Sequence, residues 1–276
     1  MATLPMANFF FTKMHGLGND FVIVAAIDTD ILPTAILWRA LADRCTGIGF
    51  DQALVILPPR HADATAYYRI FNADGSEVEQ CGNGVRCVAE WLRLQGQAAT
   101  TTLKLDSPGG RVETAFVAPG MVAVNMGVPR FASPGEVMLQ VDGQEIRFTE
   151  VSMGNPHIVL RVPSVTEAPV STLGARLESH QRFPQRTNVG FLQVIDPAHA
   201  RLRVFERGVG ETRACGTGAC AAMASARRQG LLADEAEIVL PGGALQLRWQ
   251  GEGSNLWMTG PVTVVFRGEV DLSQFA

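Results

Sequence analysis

The chain states one unusual sequence twice, in register. Phe71-Asn72-Ala73-Asp74-Gly75-Ser76-Glu77-Val78-Glu79-Gln80-Cys81-Gly82-Asn83-Gly84 is answered without a gap by Phe205-Glu206-Arg207-Gly208-Val209-Gly210-Glu211-Thr212-Arg213-Ala214-Cys215-Gly216-Thr217-Gly218. Arg69/Arg203, Phe71/Phe205, Glu77/Glu211, Cys81/Cys215, Gly82/Gly216, Gly84/Gly218 and Gly96/Gly230 all pair at an offset of 134 residues. In a chain of 276 residues, such a repeat restricts the fold to two similar halves, each of ordinary domain size. Two thiols, each at the mouth of a glycine-rich turn, point to one site served by both. That is equipment for moving a proton from one face of a carbon to the other.

The local patterns repeat as well. Residues 65–71 and 202–205 read as strands entering the two cysteine turns, and 121–126, 157–162 and 262–266 read as further strands. After each turn the period becomes helical: Val85, Val88, Ala89 and Leu92 share one face, with Gly96 placed to stop the helix. The second copy is alanine-rich over 219–226, carries Arg227 and Arg228 for a last helical turn and ends at Gly230. Each half also has a glycine-asparagine turn (Gly18-Asn19, Gly154-Asn155) and a Pro-Gly-Gly turn (108–110, 241–243). The expected fold is α/β (α+β): a tandem duplication of a mainly antiparallel sheet carrying one central helix. Residues 1–119 form an N-terminal lobe with Cys81, and 120–261 a C-terminal lobe with Cys215. The join falls near Ala118-Pro119-Gly120, and the last strand, within 262–276, packs back on the first lobe.

Charge and cysteine usage narrow the function. A net charge of −4 with no basic run excludes a nucleic-acid face or an anionic-lipid surface. No segment has the apolar length of a membrane span, and residues 1–8 lack the basic start of a secretory signal. Five cysteines, an odd number in a chain this long, fit free thiols in a reducing cytoplasm rather than disulfide staples.

The chemistry follows from the helix starts. A cysteine there meets unsatisfied backbone N–H groups and the positive end of the helix dipole. Both lower a thiol pKa from its reference value of about 8.5. The same N–H groups favour a substrate carboxylate, and glycines let the backbone approach it. A lone Cys-Gly-X-Gly is more often a turn with a packed thiol, and two copies in register weaken that reading. Phosphate cradling lacks its lysine and its GxGxxG spacing. The cysteine spacings are not C-x-x-C and no histidine lies close in sequence, which disfavours a metal or redox pair. Cys45, Cys87 and Cys220 read as structural.

Lys13-Met14-His15-Gly16-Leu17-Gly18-Asn19-Asp20-Phe21, the two cysteine segments, Gly154-Asn155-Pro156-His157, Thr187-Asn188-Val189-Gly190-Phe191 and Glu206-Arg207-Gly208 together resemble the diaminopimelate epimerase family. The resemblance runs from about Phe9 to the C-terminus, leaving the first eight residues as an extension. It implies epimerisation of LL-2,6-diaminopimelate to meso-diaminopimelate in lysine and peptidoglycan precursor biosynthesis. It also implies a site in the cleft between two lobes, no cofactor, no metal, and a homodimer. Cys81 and Cys215 correspond to the acid–base pair, and His157 and Glu206 to positions that assist it. Asn19, Gln52, Asn72, Gly82, Asn83, Asn155, Asn188, Glu206, Arg207, Gly216 and Thr217 fall on substrate-binding positions. The non-reacting end of such a substrate needs a guanidinium for its carboxylate and oxygens for its ammonium, which Arg207, Glu206 and the asparagines supply. Two other readings stay open: a related proline or hydroxyproline racemase, whose substrate gives Arg207 and Glu206 no purpose, and a thiol-based redox or metal-binding protein.

Overall fold

The computed structural model describes residues 8–26, 33–78 and 81–275. Glu79 and Gln80 of the first repeat copy, and most of the expected N-terminal extension, lie outside them. The chain forms two compact units: Met1–Val124 with Pro261–Ala276, and Asn125–Gly260.

In the first unit, Asn19–Ala25 runs parallel to Gln52–Leu57, which pairs antiparallel with Ala66–Asn72. Ala66–Asn72 runs parallel to Thr102–Ser107, itself antiparallel to Gly110–Ala118. Strand Asn8–Gly16 pairs antiparallel with Asn19–Ala25 and, on its other side, with the C-terminal strand Thr263–Asp271. Residues 119–120 form a tight turn that leads the chain from Gly110–Ala118 back along Met121–Asn125.

The second unit repeats that order. Pro156–Arg161 runs parallel to Asn188–Asp196, which is antiparallel to His199–Glu206. His199–Glu206 is parallel to Glu235–Leu240, and Glu235–Leu240 antiparallel to Gly243–Arg248. The repeat extends to side chains: Arg69 grips Glu77 through Nε and Nη2 at 2.7 and 2.8 Å, and Arg203 grips Glu211 through the same atoms at 2.6 and 2.8 Å.

The sheets are therefore mixed, and this corrects the expectation of a single helix per half. A parallel pair cannot be closed by a hairpin and needs a crossover, usually helical. Among the described residues each unit has two parallel pairs and two crossover helices: α1 (Ala35–Ala42) and α2 (Gly82–Leu94) in the first, α3 (Val170–Glu178) and α4 (Gly216–Arg228) in the second. The unforeseen helices α1 and α3 are short, and α3 carries Val170, Thr172 and Gly174, all poor helix formers. Packing rather than propensity holds them. Trp38 of α1 is fully buried, stacked on Phe71 at 5.5 Å between ring centres, beside Phe11 and Phe50. Truncating it to alanine is expected to cost about 3–5 kcal/mol. Val170 and Leu177 of α3 are buried with Phe148 and Phe191. A Cβ on Gly174 would come within 2.7 Å of Phe205, so only glycine lets α3 sit this close to strand His199–Glu206.

The central helices α2 and α4 are each 13 residues long. Both are buried along most of their length, α2 including Arg86 and Glu90, α4 through a run of alanines. Both end before a glycine in the left-handed region, Gly96 at φ 72° and Gly230 at φ 73°, where a Cβ is disfavoured. Among the described residues no helix is long and apolar enough to cross a membrane.

Candidate functional site

Each repeated cysteine is the residue just before the first residue of a central helix. Cys81 (φ −148°, ψ 106°) and Cys215 (φ −113°, ψ 104°) are in extended conformation, and their carbonyls accept the first helical bonds from Val85 and Ala219, both at 3.0 Å. The amides of Gly82, Asn83 and Gly84, and of Gly216, Thr217 and Gly218, precede the first intrahelical donor. Neither first turn carries an acidic side chain. Both helix starts are therefore receptive to an anion.

In the first unit, Cys81 is half-buried and its Sγ lies 3.8 Å from Asn19 Oδ1, which also accepts from Asn83 Nδ2 at 3.3 Å. Asn19 is held by the end of the adjacent hairpin and by Asp51, whose Oδ2 accepts from Asn19 Nδ2 at 2.9 Å. Asp51 and Asp20 share Arg44, and Lys13 pairs with Asp20. Burial opposes the charge of Asp20, but the hydrogen bonds of Arg44 and Lys13 outweigh it and hold the carboxyl well below the usual carboxylate range. Gln52 and Asn72 are cross-strand partners, with Gln52 Nε2 donating to Asn72 Oδ1 at 2.9 Å.

The second unit links most of its expected residues through side-chain hydrogen bonds. Cys215, 3 % exposed, places Sγ 3.1 Å from Glu206 Oε2, while Thr212 Oγ1 donates to Glu206 Oε1 at 2.5 Å. Burial first, and the Glu206 carboxylate second, push the Cys215 thiol well above its ordinary pKa, against a hydrogen bond from the Gly218 amide. Thr217 Oγ1 lies 3.7 Å from the same sulfur and accepts from Asn155 Nδ2 at 3.4 Å. Asn155 Oδ1 meets His157 Nε2 at 3.0 Å. Burial, with the Arg207 charge nearby, lowers the His157 pKa to about 3, so the ring is neutral near pH 7 and its Nε2–H donates to Asn155. Asn188 donates to the Pro156 carbonyl at 2.9 Å and accepts from the Arg207 amide at 3.0 Å. The Arg207 guanidinium reaches the Gln185 carbonyl at 3.3 Å.

Cys81, Asn19 and Asn83 thus form one group and Gln52 and Asn72 another; in the second unit Cys215, Glu206, Thr217, Asn155 and His157 join one hydrogen-bonded set, and Asn188 and Arg207 form a further pair. Sequence reasoning missed Asp51, Arg86 and Thr212, each of which holds one of these side chains. Asp51 sits next to Gln52 and Thr212 in the repeat itself, but only pairing distances reveal their roles. Of the three cysteines read as structural, Cys87 and Cys220 are buried and Cys45 is exposed. Among the described residues no group of three or more His, Cys, Asp or Glu side chains is placed to hold a metal ion.

Comparison with known proteins places this geometry. A model of the protein family described as diaminopimelate epimerase matches residues 11–132 and 149–265. A diaminopimelate epimerase from Ectopseudomonas mendocina is 50% identical over 273 residues, covering 95% of this chain and 99% of that protein. One from Acinetobacter baumannii is 51% identical over 278 residues, covering 96% and 98%. Among solved structures, a hydroxyproline epimerase from Agrobacterium vitis matches with a TM-score of 0.72 at 17% identity, covering 95% of this chain and 92% of that one. A PhzF-family phenazine biosynthesis protein from Bacillus anthracis matches with a TM-score of 0.71 at 18% identity, covering 96% and 99%. At these identities the solved structures share the fold alone.

Proposed function

Because this chain belongs to the diaminopimelate epimerase family, we propose that it interconverts LL- and meso-diaminopimelate by a two-thiol acid–base mechanism that needs no cofactor. The observation that carries the mechanism is the repeated placement of a cysteine immediately before a buried helix, where the amides of the first turn precede the first intrahelical donor. One sulfur removes the α-proton, and the other delivers a proton to the opposite face of the same carbon. Charge then grows on the substrate carboxylate, where oriented N–H donors stabilise it as it develops. Amides at Gly82-Asn83 and Gly216-Thr217 are suited to that task.

The remaining residues divide between chemistry and recognition. Glu206, in contact with Cys215 Sγ, is the acceptor through which that thiol loses its proton. Neutral His157, fixed on Asn155, assists without changing charge. Arg207 binds the distal carboxylate, while Glu206, Asn155, Asn188, Asn19, Gln52 and Asn72 offer oxygens and amides to the ammonium groups and the reacting end. Five cysteines, an odd number in a chain this long, suit a reducing cytoplasm. A homodimer is in keeping with the exposed apolar residues Phe10, Val265 and Phe266, which lie on the paired strands Asn8–Gly16 and Thr263–Asp271.

Proton NMR of the reduced protein with LL-diaminopimelate in D₂O, with nothing added, tests the function. Loss of the α-proton signal together with appearance of the meso isomer is expected. A folded, reduced protein that exchanges no α-proton would overturn the reading.

A further inference from the structure

The two ends of an asparagine side chain are distinguished by what they meet, since one only accepts and the other only donates. In the first unit that choice is forced from both sides. Arg86, fully buried on α2, donates from Nη2 to Asn83 Oδ1 at 2.9 Å. A guanidinium has no acceptor, so the Asn83 oxygen must face it, which sends Nδ2 of Asn83 to Asn19 Oδ1. At the far end, Asn19 Nδ2 meets Asp51 Oδ2 at 2.9 Å, and a carboxylate has no donor. The chain from Arg86 through Asn83 and Asn19 to Asp51 therefore runs in one direction only. Turning either amide would set donor against donor at one end and acceptor against acceptor at the other.

The direction has a consequence at Cys81. It fixes an oxygen, Asn19 Oδ1, at 3.8 Å from Sγ. A carbonyl oxygen accepts a hydrogen bond from S–H and repels S⁻. We propose that Asp51 and Arg86 are positioning residues which, by fixing the Asn19 amide, hold the Cys81 sulfur in its protonated form in the substrate-free enzyme. The two half-sites then keep their protons by different means: Cys215 against the Glu206 carboxylate, Cys81 against a locked neutral oxygen. Of the neighbouring titratable groups, Tyr68 on strand Ala66–Asn72 and Cys87 on α2 are pushed up by burial and stay neutral. Beyond Asn19, Asp51 and Asp20 are matched by Arg44 and Lys13.

The proposal rests on the reading of Cys81 as an acid–base group, but its test reads the thiol rather than turnover. Iodoacetamide alkylation is followed peptide by peptide across the range from about pH 6 to 10, within which thiols ionise. The Asp51 side chain is 43% exposed, so Asp51→Ala leaves the core untouched. Released from Asp51, the Asn19 amide is held only through Asn83, its oxygen is less firmly fixed against sulfur, and the Cys81 midpoint moves to lower pH by up to about one unit. The Cys45 and Cys215 profiles stay where they are. Isosteric Asp51→Asn, able to meet Asn19 with either end, gives a smaller shift in the same direction. In an Asn19→Ala background the added Asp51→Ala leaves the midpoint unchanged, because the residue acts through that amide. An unmoved Cys81 midpoint in Asp51→Ala overturns the proposal. So does an equal shift in the Asn19→Ala background, which would mean direct action of the carboxylate charge, or a raised high-pH plateau at constant midpoint, which is the mark of structural loosening.

Discussion

Cys215 Sγ lies 3.1 Å from Glu206 Oε2, whereas the repeat position equivalent to Glu206 is Asn72, an amide engaged with Gln52 and Ser76. The duplication preserved the thiol, the helix start and the Arg–Glu clamp, but it divided the charge around the two sulfurs. A carboxylate stands beside the Cys215 thiol, and an amide occupies the matching position of the first repeat.

Glu206→Gln is expected to lower kcat by about 10²-fold, the usual scale of a lost acid–base partner. The thiol itself responds the opposite way. Burial and the Glu206 charge both raise the Cys215 pKa, so removing that charge moves Cys215 alkylation to lower pH while turnover falls. Peptide-resolved alkylation beside steady-state kinetics checks both; unchanged kcat would count against the assignment.

Cys81→Ala and Cys215→Ala should each lower epimerisation by at least about 10³-fold, since each removes one member of an acid–base pair. The fold should tolerate both changes, because each site is a helix edge rather than a core position filled by a large side chain. Isomer interconversion followed by chiral chromatography decides, and activity retained in either variant excludes the two-thiol mechanism.

His157 links folding to pH. Its pKa is about 3 in the native state against an ordinary 6.5, so between those values the unfolded chain binds the extra proton. Stability from the neutral, buried ring is complete above pH 6.5 and is lost on acidification at about 1.4 kcal/mol per pH unit. His157→Gln should therefore show a shallower loss of urea stability between pH 7 and pH 5 than the natural chain, and parallel slopes in the two proteins would refute the linkage.

Gly218 sits against the second sulfur. A Cβ there would meet Val204 Cγ2 at 3.0 Å and Cys215 Sγ at 3.1 Å, while one on Gly84 would meet Leu54 at 3.1 Å and the Cys81 Cβ at 3.5 Å. Gly218→Ala should lower kcat at least tenfold by displacing the thiol, since a misplacement of about 1 Å can cost about 10²-fold. Its effect on stability should stay near 1 kcal/mol, because alanine otherwise suits a helix. A melting curve and a kcat measurement on one sample separate the two effects.

The sequence by itself determined the duplication, the two central helices and the place of a cysteine before each. These follow from short-range signals: one repeat offset, a change from strand to helical period, and a stop glycine that accepts a positive φ. The same signals could not reveal α1 and α3. Those helices are short and built in part from poor helix formers, and they exist because parallel strand pairs need crossovers and because Trp38, Val170 and Leu177 find a core to enter. The candidate site divides in the same way. Residue types and motif order marked Cys81, Cys215, Asn19 and Glu206. The partners that orient those groups, Asp51, Arg86 and Thr212, were decided only by tertiary structure. A hydrogen bond between residues 32 apart, such as Asn19 with Asp51, depends on strand register and leaves no periodic trace along the chain.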